Sequence, residues 1–108
     1  MIEIESRADS GVVVIPSGNL DWIGATALRH AVDAILGLRV DFVIDLSRTN
    51  RVDATGMSAL VGSIRRARTL GINACIVNPM PSVRRQLGLV SIDRLVLCSS
   101  VDSGNDAA

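Results

Sequence analysis

The fold of this chain is decided by residues 43–71, which read VIDLSRTNRVDATGMSALVGSIRRARTLG. Its first residues are apolar apart from Asp45, as is typical of a buried strand, and a helical spacing of apolar residues follows further on. The residues at this spacing are Met57, Leu60, Val61, Ile64 and Ala67. Such a face docks a helix on a sheet, so we expect a strand, a polar loop over residues 47–51 and a helix that Gly71 ends.

The polar chemistry of this segment is concentrated at residues 53–57, which we call the corner. Asp53 and Thr55 are residue types that accept hydrogen bonds from the unpaired N–H groups of a first helical turn. Gly56 would let another surface approach the backbone closely. Because a helix N-terminus carries roughly half a positive charge, we expect an exposed, rigid corner that suits an anion or an acidic partner residue.

Strands and helices alternate along the rest of the chain, after an opening hairpin with its turn at residues 9–11. The predicted strands are residues 2–6, 12–15, 41–46, 72–77 and 94–98. The first helix is predicted to end at Gly37, and its apolar positions are Ala27, Leu28, Ala31, Val32, Ile35 and Leu36. A short helix is predicted to start near Pro81. The order β-β-α-β-α-β-α-β predicts a single α/β domain over residues 1–98, with a mixed, mainly parallel sheet. Residues 99–108 are small and polar, which predicts a frayed tail.

Length and composition exclude several classes of protein. A chain of 108 residues fits one domain, and none of its apolar runs approaches the roughly 20 residues of a membrane span. Its N-terminus alternates like a strand and lacks the features of a signal peptide, so we expect no membrane insertion and, by default, a cytoplasmic location. One Phe, one Trp and no Tyr argue against nucleic-acid binding. The oligomeric state stays open.

Charge is unevenly distributed although the net charge is zero at pH 7. Between residues 47 and 92 the chain has seven arginines and one acidic residue, Asp53, whereas acidic residues dominate before residue 46. One face of the molecule is therefore expected to attract an acidic protein or an anionic headgroup. The alternative is that the arginines at 65, 66 and 68 form a solvated helix face near a C-terminus, where cations are favoured.

Reactive groups are sparse. The chain has no glycine-rich phosphate loop, and with His30 as its single histidine it has too few ligands for a zinc site. Asp45 and Asp53 are poorly placed for acid/base work, since one lies in a strand and the other before a helix. We therefore expect no catalytic residue, no metal and no cofactor, and interpret the chain as a binding module.

The corner and its surroundings resemble the STAS family, which includes bacterial anti-sigma factor antagonists. The residues that carry the resemblance are Val52-Asp53-Ala54-Thr55-Gly56-Met57, Gly18-Asn19-Leu20-Asp21, Val43-Ile44-Asp45-Leu46-Ser47, and Pro81-Ser82-Val83-Arg84-Arg85 with Leu89, Ile92-Asp93 and Leu95. Together, in this order, they cover nearly the whole chain. The resemblance implies a protein-binding switch that docks on an anti-sigma factor, itself often a serine kinase.

The same resemblance implies which residues would bind the partner: Asp21, Trp22, Arg51, Asp53, Ala54, Thr55, Gly56 and Met57. The sequence departs from the family at Ala54, which stands where the family has a phosphorylated serine. Without a hydroxyl there, the usual switch is absent, and Thr55 and Ser58 are the remaining candidates for phosphorylation.

Two further interpretations of the sequence are open. The chain also resembles accessory subunits on the ATPase of phospholipid-trafficking ABC transporters, which do not depend on the serine. In a redox-controlled module, Cys75 and Cys98 would form a regulatory pair in place of the missing phosphorylation site; otherwise both are buried small apolar residues.

Overall fold

Short strands and amphipathic helices follow one another in the structure, which is a computed structural model describing residues 1–7 and 11–89. The elements are β1 (Ile2–Arg7), β2 (Gly11–Pro16), β3 (Gly18–Leu20), α1 (Trp22–Leu38), β4 (Phe42–Asp45), β5 (Thr49–Val52), α2 (Ala54–Thr69), β6 (Ala74–Val77) and α3 (Pro81–Leu89). The predicted strand at 94–98, the tail at 99–108 and part of the predicted turn at 9–11 lie outside the described residues. No helix in the described part of the chain is long and apolar enough to cross a membrane.

Four strands form the main sheet in the order β1-β2-β4-β6. The opening hairpin pairs β1 with β2 in the antiparallel sense, and the remaining pairs are parallel. Val14, Ile44 and Ile76 stand opposite one another in register and are fully buried. Parallel strands need crossovers, and the helices supply them, so the predicted mixed, mainly parallel α/β domain is confirmed.

A second, two-stranded parallel sheet of β3 and β5 was not predicted. Residues 47–51 were expected to form a loop, and no strand was expected at residues 18–20; the two strands are only three and four residues long and carry exposed polar side chains. One buried hydroxyl helps to hold them against the main sheet, since Thr49 Oγ1 donates to the Pro16 carbonyl at 2.8 Å. The pairing of Leu20 with Val52 sets the positions of the residues that follow the two strands, Asp21 and Asp53.

The core lies between the sheet and the helices, which bury apolar and small residues. On α2 the buried residues are Gly56, Ala59, Leu60, Ser63, Ile64 and Ala67. Met57 and Val61 are only half-buried, so the inward face is rotated from the one predicted, toward the small residues. Small side chains on this face let the helix approach its neighbours closely, and the Ser63 hydroxyl is satisfied by the Ala59 carbonyl at 2.7 Å.

The end of α1 also differs from the prediction. The helix continues through Gly37 to Leu38, and Arg39 takes the left-handed C-cap conformation with φ 56° and ψ 44°. An added Cβ at Gly37 would meet nothing within 4 Å, so this glycine is not required by packing. The chain therefore places glycine inside the helix and a side-chain-bearing residue at the position that usually favours glycine.

Placing glycine at the C-cap and alanine inside the helix should stabilise the protein. We expect Arg39→Gly and Gly37→Ala each to raise the free energy of unfolding by about 0.5–1 kcal/mol, the first by removing Cβ strain and the second by improving helix propensity. Urea unfolding of the two variants and the parent measures both effects. A less stable Arg39→Gly protein would show that the Arg39 side chain contributes more than its backbone strain costs.

Candidate functional site

Two helices begin side by side at one end of the molecule. Because Leu20 pairs with Val52, the next residues, Asp21 and Asp53, emerge next to each other from the carboxyl ends of β3 and β5. Asp21 is the N-cap of α1, and its Oδ1 accepts from the N–H groups of Ile23 at 3.1 Å and Gly24 at 3.0 Å. Both helices thus start with a capping carboxylate, which satisfies N–H groups that would otherwise lack a partner.

Asp53 caps α2 through a single oxygen that takes two hydrogen bonds. Its Oδ1 accepts from the Gly56 N–H at 2.9 Å and from Thr55 Oγ1 at 2.6 Å. The prediction that Thr55 accepts from the helix backbone is therefore wrong: Thr55 lies at the second helical position, and its hydroxyl donates to the cap. Both carboxylates already occupy the positive helix ends, so the corner has less attraction for a further anion than the sequence suggested.

These hydrogen bonds lower the pKa of Asp53 below the usual 3.8, the Thr55 hydroxyl contributing most and the Gly56 N–H next. Both donors favour the ionised form, and partial desolvation opposes them. Since the carboxyl holds its proton less tightly in the folded than in the unfolded protein, its stabilising effect is present above the unfolded pKa. The effect is lost as the pH falls through the lowered, folded pKa.

Gly56 is buried and does not lie on the exposed part of the corner. The surface that approaches its backbone belongs to the same molecule: an added Cβ would stand 2.2 Å from the Leu20 carbonyl oxygen. That same carbonyl accepts from the Asp53 N–H at 3.2 Å. The expectation that Gly56 admits a partner is corrected accordingly, because it allows α2 to pack against β3.

The other predicted binding residues are brought together at this end. Arg51, Asp53, Ala54, Thr55 and Ser58 are exposed, and Asp21 and Met57 are half-buried. Trp22 is 67% exposed in the first turn of α1. Next to it Ile23 is 62% exposed, a surface residue that is not among the predicted binding residues.

A polar groove of about 430 Å³ runs between the two caps and α3. Its lining residues are Asn19, Leu20, Asp21, Arg51, Val52, Asp53 and Gln86. Gln86 was not predicted as part of the site; its Nε2 donates to the Val52 carbonyl at 2.7 Å and ties α3 to β5. No sequence signal marks this contact, since it joins residues 34 positions apart.

The predicted redox pair stays a prediction. Cys75 is half-buried on β6, opposite Val43 of β4, and Cys98 lies outside the described residues. Within residues 1–7 and 11–89, no cluster of three or more His, Cys, Asp and Glu side chains could hold a metal ion.

With this geometry established, comparison with known proteins identifies the family. The model of the STAS domain matches residues 2–104, and the chain therefore belongs to the STAS domain family. Among curated proteins, no sequence matches this chain.

Several solved structures share the fold. An anti-sigma factor antagonist from Mycobacterium paratuberculosis is 24% identical, with a TM-score of 0.77 over 95% of this chain and 88% of that one. A putative anti-sigma factor antagonist from Thermotoga maritima is 22% identical, with a TM-score of 0.77 over 96% and 92%. The Bacillus cell fate determinant SpoIIAA in its phosphorylated form is 15% identical, with a TM-score of 0.71 over 97% and 100%.

The close approach at Gly56 predicts that alanine substitution has very different effects on stability at two glycines of α2, Gly56 and Gly62. We expect Gly56→Ala to lower the free energy of unfolding by about 1–3 kcal/mol, because the new methyl group collides with a backbone carbonyl that cannot rotate away. Gly62→Ala is the matched control; its Cβ would meet nothing within 4 Å, so it should be neutral or stabilising. Equal stabilities in urea unfolding would contradict the packing described here.

The Thr55 hydroxyl should control the pKa of Asp53. We expect Thr55→Val to raise that pKa toward its ordinary value, because the largest of the hydrogen bonds to the carboxylate is removed. NMR titration of the Asp53 carboxyl carbon measures it, and Ser58→Ala, one turn further along α2, is the control. An unchanged pKa in Thr55→Val would show that the hydroxyl does not donate to Asp53 in solution.

Proposed function

We propose that this chain is a non-catalytic, protein-binding regulatory module that acts as an anti-sigma factor antagonist. The observation that carries the proposal is the pair of helix N-termini set side by side, with Trp22 and Ile23 exposed beside the corner. Large exposed apolar side chains on a rigid element are typical anchors of protein interfaces. The membership of the STAS family and the likeness in fold to antagonists support the same reading.

The docking surface is built from residues with different tasks. Trp22 and Ile23 supply apolar contact area, and Arg51 and Asp53 supply a charged rim. Ala54 follows Asp53 as the first residue of α2 and is exposed. Because the side chain of residue 54 is only a methyl group, a partner can approach the backbone of the first helical turn.

Control by phosphorylation at residue 54 is absent under this proposal, because alanine has no hydroxyl. Thr55 and Ser58 are exposed and remain the candidates. A phosphoryl group on Thr55 would remove the hydrogen bond to Asp53 and place about two negative charges beside a carboxylate. We infer that Thr55 serves mainly as a cap partner and that the module binds without a switch at residue 54.

The partner we propose is an anti-sigma factor, or a kinase-like protein of the same regulatory pathway, in the bacterial cytoplasm. The alternative is the ATPase of a phospholipid-trafficking ABC transporter, bound through the same surface. Affinity purification from the native host with mass spectrometry distinguishes them, since either protein would be recovered directly.

A bulky residue at the centre of the surface should abolish partner binding. We expect Ala54→Arg to weaken the complex by about 2 kcal/mol or more, roughly 30-fold in Kd, because it holds the two surfaces apart. Ala34→Arg adds the same side chain at an exposed position of α1, more than three turns from Trp22, and should change little.

Calorimetric titration of the recovered partner against both variants provides the measurement, after urea unfolding confirms that they are as stable as the parent. Recovery of a sigma-regulating partner with unchanged affinity for Ala54→Arg would reject the corner as the docking surface. Recovery of a transporter ATPase that is sensitive to Ala54→Arg would keep the surface and replace the partner.

A further inference from the structure

The main sheet carries apolar side chains on both of its faces. Side chains alternate along a strand, so Val14, Ile44 and Ile76 lie on one face, and the residues next to them in each strand lie on the other. These three belong to the hydrophobic core that the sheet forms with the helices. We call the opposite side the outer face; its residues on β2, β4 and β6 are Val13, Ile15, Val43, Asp45, Cys75 and Val77.

The described helices do not account for the burial of the outer face. Val13, Ile15 and Val77 are 1%, 4% and 6% exposed, yet none of them belongs to the core cluster. Every buried apolar side chain that the structure describes on α1, α2 and α3 does belong to that cluster. A sheet face open to water would leave its side chains partly exposed, so another part of the chain covers this one.

Two parts of the chain lie outside the described residues, and their compositions differ. Residues 8–10 are Ala-Asp-Ser, which is too short and too polar to cover a sheet face. The part that follows α3 contains an apolar run at residues 95–98, Leu-Val-Leu-Cys. Burying such a run against an apolar face is favourable for both surfaces, so composition points to this segment as the cover.

A covalent bond is an independent observation on the same face. Cys75 stands opposite Val43 on the outer face and is disulfide-bonded. Since the chain has two cysteines, its partner within one molecule is Cys98. The two Cα atoms of a disulfide lie within about 7 Å of each other, so this bond brings the apolar run against β6.

We propose that residues 94–98 cover the outer face and that a reversible disulfide between Cys75 and Cys98 fastens them there. The oxidant is a small-molecule disulfide such as glutathione disulfide. Two electrons pass from the protein thiols to this disulfide, its S–S bond breaks as the protein S–S bond forms, and the two protons end on the thiols released. Cys75 is only half-buried, so such a reagent can reach it, and excess thiol reverses the exchange.

The disulfide braces one wall of the groove at the corner. The loop that it closes, residues 75–98, contains the whole of α3. Gln86 on this helix donates to the Val52 carbonyl, and both residues line the groove. Closing the loop limits how far α3 can open away from the groove. A consequence for partner binding rests on the proposed function, whereas the bond and the brace do not.

Peptide mapping tests the bond without any partner. We expect the full chain, treated with glutathione disulfide in its native state, to stay monomeric and lose both thiols. Trypsin should then release residues 69–84 joined to residues 95–108. The oxidised protein should melt roughly 10 °C or more above the reduced protein, because the closed loop constrains the unfolded chain. Cys98→Ser is the matched control, and the same treatment should not raise its melting temperature.

Hydrogen exchange measured by mass spectrometry tests the brace. Amides of α3 should exchange about tenfold or more slowly in the oxidised than in the reduced protein, and those in the first turn of α1 should be unchanged. Glutathione adducts without the joined peptides, or a bond only between chains, would overturn the proposed disulfide. Joined peptides with equal exchange of α3 in both forms would overturn the brace. Neither result depends on what the corner binds, so both can fail while the proposed function stands.

Discussion

The pairing of Leu20 with Val52 is the constraint on which the rest of the site depends. It sets two parallel strand ends next to each other, so that Asp21 and Asp53 each begin a helix at the same end of the molecule. The Leu20 carbonyl then accepts from the Asp53 N–H and lies against the bare Cα of Gly56. The carbonyl group of Leu20 thereby fixes where α2 starts and which of its faces is turned inward. Because the helix approaches so closely there, that face needs small residues.

Much of the fold is local in origin and could be predicted from the sequence. The hairpin, the central strand, both long helices and the cap at Asp53 all follow from periodicity and end signals within a few residues. The pairing of β3 with β5 could not be predicted, because it joins short polar segments about 30 residues apart. The rotation of α2, the burial of Gly56 and the contact of Gln86 with Val52 are consequences of that pairing, so they were missed together. The direction of the Thr55 hydrogen bond was missed for a different reason, since a hydroxyl can donate or accept and only its rotamer decides.

The two ends of the helix layer have opposite electrostatic character. At the N-terminal end, carboxylates satisfy the positive helix ends, and at the C-terminal end arginines complement the negative ones. This arrangement stabilises both helices and also separates charge along the molecule although the net charge is zero. A chain whose overall charge is neutral thus has two ends of different character, one with capping carboxylates and the other with exposed arginines.

The methyl group of Ala54 has a consequence for regulation under the proposed function. A surface with a modifiable hydroxyl at its centre can be switched while the number of molecules stays constant. A surface with a methyl group there responds only to mass action: the fraction of partner that is bound follows the concentrations of the two proteins and their dissociation constant. The cell would then set the output by how much of this protein it makes and how fast it degrades it, so the stability of the fold becomes part of the signal.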